Sequence, residues 1–150
     1  MKHRNFFGGI YIAIIFATIS SANARELTGY VSNIIDVDVW EIRGETIQMW
    51  GVAVPQYNDN QDPDILDKIE VQIDKREVKC ISVDAVGNSD HPVMKCSING
   101  FDVSRMLVRQ GFARDCPKIT DGKYMFDEKF AVEARGANIS EWFPVPRECQ

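Results

Sequence analysis

The chain has 150 residues, 45% of them hydrophobic and 26% charged, with 10 Gly and 6 Pro. These values are ordinary for a globular protein and exclude disordered, collagen-like and low-complexity chains. A formal charge of −5 gives no long-range attraction for a polyanion, so tight, non-specific binding of DNA or RNA is not expected.

Apolar residues concentrate once, between Gly8 and Ala24. Lys2, His3 and Arg4 precede this run, Ile10 to Ile19 form its centre, and Ser21-Ala22-Asn23-Ala24 end it with small side chains. A basic start, a short apolar stretch and an A-x-A-like end are the parts of a secretory signal peptide, here residues 1–24. The competing reading is an uncleaved anchor, for which the run is shorter than the roughly 20 apolar residues a spanning helix needs. No later segment is expected to span a bilayer. Loss of Lys2 and Arg4 takes the formal charge to about −7. Residues 25–150 are read as a single domain, long enough to bury a core without help from a metal.

All four cysteines, Cys80, Cys96, Cys116 and Cys149, follow the leader. An even number in an exported chain is most simply two disulfides. No C-x-x-C occurs, and His91 is the only histidine past the leader, so the spacing suits no zinc site. Of three pairings we favour Cys80 with Cys96, on two runs that read as neighbouring strands, and Cys116 with Cys149, which ties the tail to the body.

In chain order, Leu27 to Ile35, Val37 to Ile42 and Thr46 to Val52 read as a three-stranded meander with a turn at Arg43-Gly44-Glu45. The segment Pro63 to Ile69 reads as a short helix, with Ile65, Leu66 and Ile69 on one face. Val78 to Val83 and Pro92 to Ile98 follow as strands, then a turn at Asn99-Gly100 and a helix from Asp102 closed by Gly111. A last helix is expected from Tyr124 to Arg135, with Phe126 and Phe130 in the core, before a tail that begins at Trp142-Phe143-Pro144. This order predicts an α+β fold: a five-stranded Greek-key barrel of the OB type, with about three helices.

Asp36-Val37-Asp38-Val39, a strand pair and then Gln48-Met49-Trp50-Gly51-Val52-Ala53-Val54-Pro55-Gln56 stand in one stretch. Gly100-x-Asp102-Val103, Leu107-Val108-Arg109-Gln110-Gly111-Phe112-Ala113 and Tyr124, Glu128, Glu133-Ala134-Arg135, Trp142 follow in order. This run resembles the thermonuclease family, the staphylococcal nuclease-like domains, from about Leu27 to Trp142. The resemblance implies a bacterial protein, periplasmic or secreted, on a barrel that in active relatives is a Ca²⁺-dependent phosphodiesterase. There two carboxylates hold the metal, a glutamate handles the attacking water and two arginines stabilise the phosphate.

Carried over by position, most of that machinery is missing. The first metal carboxylate matches Asp38, with Asp36 beside it, but the second falls on Ala53. The general base falls on Gln56, the first arginine on Gln48, and the second on His91 or, by another count, on Asn88. Val37 and Val39 replace the Gly and Thr of the loop that presents Asp38. One arginine on a transferring phosphoryl group is worth about 10³ to 10⁵ in rate and a general base about 10² to 10⁴.

No catalytic residue and no cofactor are therefore expected. The reading that follows is an exported, inactive, nuclease-like binding module for a protein or glycan partner. The alternative is a metal-dependent nuclease, with Ca²⁺ if active, whose site has been rearranged around Asp38, Glu41 or Glu45, and His91. Trp40, Trp50 and Tyr57 are candidates for a ligand face, as OB barrels use aromatics on one side, although Trp50 reads more readily as core. Arg105, Arg109 and Arg114 read as a solvated helix face. The acidic stretch Asn58 to Asp67 lies where a substrate strand would enter and repels phosphate.

Overall fold

The computed structural model describes residues 24–54, 64–83, 89–135 and 145–149. Residues 1–23 of the proposed leader, together with Gln56, Tyr57, Asn88 and Trp142, lie outside the described residues.

Five strands form a closed, mixed barrel. They are β1 (Glu26–Asp36), β2 (Val39–Ile42), β3 (Glu45–Met49), β5 (Glu77–Ser82) and β6 (Val93–Ile98), numbered to leave β4 for the short strand Val52–Ala53. The sheet order is β3-β2-β1-β5-β6, and a pairing of β3 with β6 completes the circle. Every ladder in it is antiparallel except β3 with β6, which is parallel. This α+β arrangement is consistent with an OB-like fold.

Local chemistry sets the turns. Ile42 pairs with Glu45 across Arg43 and Gly44, both at positive φ (55° and 78°), and Ile98 pairs with Phe101 across Asn99 and Gly100 (51° and 81°). Two central residues in the left-handed region are what a tight two-residue hairpin requires. The second hairpin adds β7 (Phe101–Asp102) and leads into α2 (Val103–Gln110). The Asp102 carboxylate accepts the Arg105 amide at 3.2 Å at the start of α2, and Gly111 at φ 79° ends it.

Helix α1 (Ile65–Ile73) presents Ile65, Ile69 and Ile73 to the barrel interior, where they meet Trp40, Ile42, Ile47, Met49, Val78 and Met94. It runs a turn past the expected end because Ile73 continues the same stripe. β4 pairs with β8 (Arg114–Asp115), followed by a single-turn α3 (Pro117–Thr120) and α4 (Met125–Arg135). Both expected disulfides are present, Cys80–Cys96 between β5 and β6 and Cys116–Cys149 from α3 to the C-terminal turn Arg147–Cys149. Such bonds point to an oxidising, extracytoplasmic setting. Among the described residues no helix is long and apolar enough to cross a membrane.

The structure corrects two expectations. Phe126 is 76% exposed and Phe130 36%, so neither is core. Helix α4 docks instead through Asp127 and Ala131, one turn apart: Asp127 takes Arg105 and Arg109 of α2 at 3.1 Å each, and the small Ala131 lets the backbone approach. The Arg109 guanidinium lies 3.8 Å over the Phe130 ring. The three arginines thus tie elements together as well as facing solvent, and Arg114 grips Glu128 at 2.6 Å with both side chains mostly covered.

The expected third strand also breaks. Gly51 adopts φ 79° and turns the chain from β3 into β4, and a Cβ there would lie 2.6 Å from the Thr120 methyl carbon. Gly51→Ala is expected to destabilise the protein by about 2–4 kcal/mol from backbone strain plus the clash. Gly44→Ala, at φ 78° with nothing within 4 Å, should cost only about 1 kcal/mol. Urea unfolding midpoints of the two variants measure the difference.

Candidate functional site

The turn Val37-Asp38 joins β1 to β2 and is held from several sides. Val37 is buried, its carbonyl accepts the Trp40 indole N–H at 3.0 Å, and its amide donates to the Asp36 carboxylate at 2.6 Å. The Asp38 carbonyl accepts the Met49 amide at 2.7 Å. Neither Val37 nor Val39 takes a positive φ, so the β-branched side chains impose no left-handed strain on this turn.

Asp38 is 3% exposed. Gln48 of β3, one strand over, donates its Nε2 to Asp38 Oδ2 at 2.8 Å, and its Oε1 accepts the Ser89 hydroxyl at 2.6 Å. Ser89 Oγ also accepts the His91 amide at 3.2 Å and lies 2.7 Å from the His91 carbonyl oxygen. Parallel pairing of Gln48 with Val93 brings this segment to the site, with the Gln48 amide donating to Pro92 O at 2.9 Å. Asp38, Gln48 and the Ser89–His91 segment therefore converge. Ser89 touches the His91 backbone, so the two form no nucleophile–base pair with the imidazole.

Burial pushes the Asp38 carboxyl up to about 6; the Gln48 amide opposes the shift and the nearby Asp36 charge adds to it. A neutral amide lowers the cost of the buried charge without cancelling it.

The residues present do not fit a calcium ion. Hard divalent cations take six to eight oxygens, several from carboxylates. Here one carboxylate faces an N–H donor, Asp36 already accepts a backbone amide, and the third position carries a methyl group. Ala53 is buried in a small cluster with Cys116, Ala131 and Cys149. Among the described residues no group of three or more His, Cys, Asp or Glu side chains is placed to share a metal. Gln56 and Asn88 fall outside the described residues.

The proposed ligand-face aromatics separate. Trp40 is fully buried in the barrel core and is not available for stacking. Trp50, read as core, is half-buried: it packs against the core, lies beneath the Lys95 ammonium, 3.9 Å from the ring centroid, and meets Tyr124 edge-on at 6.3 Å. Tyr57 lies outside the described residues. Sequence reasoning missed Ser89, which is 41 residues from Gln48 and reaches it only through barrel closure.

No protein-family model matches this chain, and its sequence matches none of the curated proteins.

The Asp38 environment has a defined pH signature. Its folded pKa exceeds the unfolded value, so the native state binds the proton more tightly and stability falls as pH rises from about 4 through about 6. Above that range the buried charge costs roughly 3 kcal/mol. Asp38→Asn keeps an acceptor for Gln48 and removes the charge. It is expected to unfold at higher urea than the wild type at pH 8, with a gain of about 1–3 kcal/mol that vanishes below about pH 4. Urea titrations at the two pH values measure it, and a variant no more stable than the wild type at pH 8 would overturn the buried-charge account.

Proposed function

We propose that this protein is an exported, disulfide-stabilised member of the thermonuclease-like class whose hydrolytic site has been emptied, and that it works as a binding module for a protein or glycan. Support for the class comes from the ordered motifs together with a closed, mixed five-stranded barrel, the architecture those motifs imply. Support for export comes from the leader-like residues 1–24 and the two disulfides.

The observation that carries the reading is the hydrogen bond from Gln48 to Asp38. The position that resembles a phosphate-binding arginine holds a neutral amide. Its nitrogen is committed to the acid and its oxygen to Ser89. Gln48 can neither supply positive charge to a phosphate nor accept a proton, and the methyl of Ala53 supplies no metal ligand. The barrel tolerates these side chains because a fold does not depend on the chemistry grafted onto it.

The purified protein, incubated with single-stranded DNA and with RNA in Ca²⁺ and in chelator beside an active thermonuclease, is expected to give no chelator-sensitive cleavage. Cleavage that chelator abolishes, and that Asp38→Asn removes, would overturn the inactive reading in favour of a rearranged metal-dependent site.

A further inference from the structure

We propose that the open edge of β1 is a docking site for an extended peptide segment of another protein that carries basic side chains. This goes beyond the binding-module reading, because it holds whether or not the Asp38 site is catalytic.

β1 is longer than the strand beside it. Its ladder with β5 runs from Glu26↔Ile81 to Tyr30↔Glu77 and stops, whereas its ladder with β2 runs on from Val31↔Ile42 to Asp36↔Val39. Past Tyr30, the β1 edge on the β5 side has no strand partner among the described residues. Register shifts between Val31 and Asn33 and between Ile34 and Asp36 mark bulges in this half. Bulges bend a strand and raise its twist, which carries β1 away from the line of β5. The unpaired stretch of about six residues is roughly 20 Å long, enough for a strand of equal length.

A cleft of about 290 Å³ lies along this edge, between β1 and α1. Val31 and Ile34 of β1, with Leu66 and Ile73 of α1, give it an apolar component. Exposed Asp67 and Glu70 of α1 supply charge on the helix side, and neither has an ion-pair partner among the described residues. Asp74 and Lys75 also line the cleft but pair with each other at 3.6 Å. The remaining cation, Arg76, stands beside Glu77, where the β5 ladder begins.

These features select one occupant. A free strand edge offers alternating N–H and C=O groups that only an extended backbone can match along its length. The apolar side chains of Val31, Ile34 and Leu66 along the cleft can meet alternate side chains of such a strand. Asp67 and Glu70, with no ion-pair partner among the described residues, favour a basic residue and disfavour nucleic acid or an acidic segment.

The test uses the full exported protein, ¹⁵N-labelled, and an end-blocked hexapeptide of alternating Lys and Val. Binding is expected to slow amide exchange roughly tenfold at one or more residues between Ser32 and Asp36. Charge reversal at the exposed positions, Asp67→Lys with Glu70→Lys, should weaken it roughly tenfold, and so should replacing every Lys of the peptide by Glu. A fully N-methylated Lys–Val peptide keeps the charges but cannot form a ladder, and it should not bind. The proposal is overturned by an unchanged spectrum at millimolar peptide, by protection confined to another surface, or by equal binding of the N-methylated peptide.

Discussion

Closure of the barrel by the parallel contact between β3 and β6 is the constraint on which the rest of the structure depends. Gln48 pairs with Val93 and Met49 with Met94, and the Trp50 amide donates to the Met94 carbonyl at 2.9 Å. Two antiparallel halves would otherwise leave exposed edges and a core open on one side. Because the partners lie more than 40 residues apart, the contact forms only against a large loop-closure entropy. Two features offset it. The Cys80–Cys96 bond fixes β6 to β5, and α1 fills the interior with three isoleucines between the two sheet halves. The candidate site is a by-product of this closure, since nothing else brings Ser89 within hydrogen-bond reach of Gln48.

The site that results is polar and short of positive charge, with Asp38 buried and Ser89 exposed. An arginine at position 48 would hold the Asp38 carboxylate ionised and leave further donors for an anion, because a guanidinium carries five N–H groups and a permanent charge. Glutamine has two N–H groups and no charge, and one of the two is spent on Asp38. The acid then bears most of its desolvation cost, which is the cause of its raised pKa. In exchange, the β1–β2 turn, the end of β3 and the Ser89–His91 loop, which the sheet already joins through backbone bonds, are linked a second time through side chains. A network of this kind specifies geometry more than it adds stability.

Much of this was legible in the sequence where local chemistry decides the outcome. The Arg43-Gly44 and Asn99-Gly100 turns, the Gly111 helix stop, the strands around Cys80 and Cys96 and the bond between those two cysteines follow from short-range signals. Side-chain facing was harder to read. Strand alternation places Ile47 and Met49 inward, so Gln48 and Trp50 face outward, and the same parity with Ile42 takes Trp40 inward. Favouring Trp50 over Trp40 as the core residue overlooks that parity. Phe126 and Phe130 mislead for a related reason. Helix α4 carries an aromatic stripe and an Asp127–Ala131 stripe, and the second wins because α2 presents two arginines to it. Nothing within α4 itself announces those partners. Ser89 leaves no signal at all before the barrel is closed.

Under the proposed reading, the emptied site is not a set of independent losses. Gln48 and His91 stand at least partly open to solvent, and their exchange for other polar residues disturbs little packing. Ala53 is different. Its methyl is buried with Cys116, Cys149 and Ala131, so the disulfide that ties the C-terminal turn to the body and the helix that carries Asp127 both close over this position. A carboxylate returned there would enter an apolar cluster, and the cation opposite it across the β4–β8 ladder, Arg114, is already held by Glu128, so the added charge would be buried in competition with an existing ion pair. Regaining a metal ligand at this position therefore requires repacking the contact between Cys116–Cys149 and α4, whereas regaining an arginine at position 48 requires only a new side chain against Asp38. The two halves of the chemistry that the resemblance implies are thus unequally recoverable. The half that would hold the cation is the one that packing now opposes.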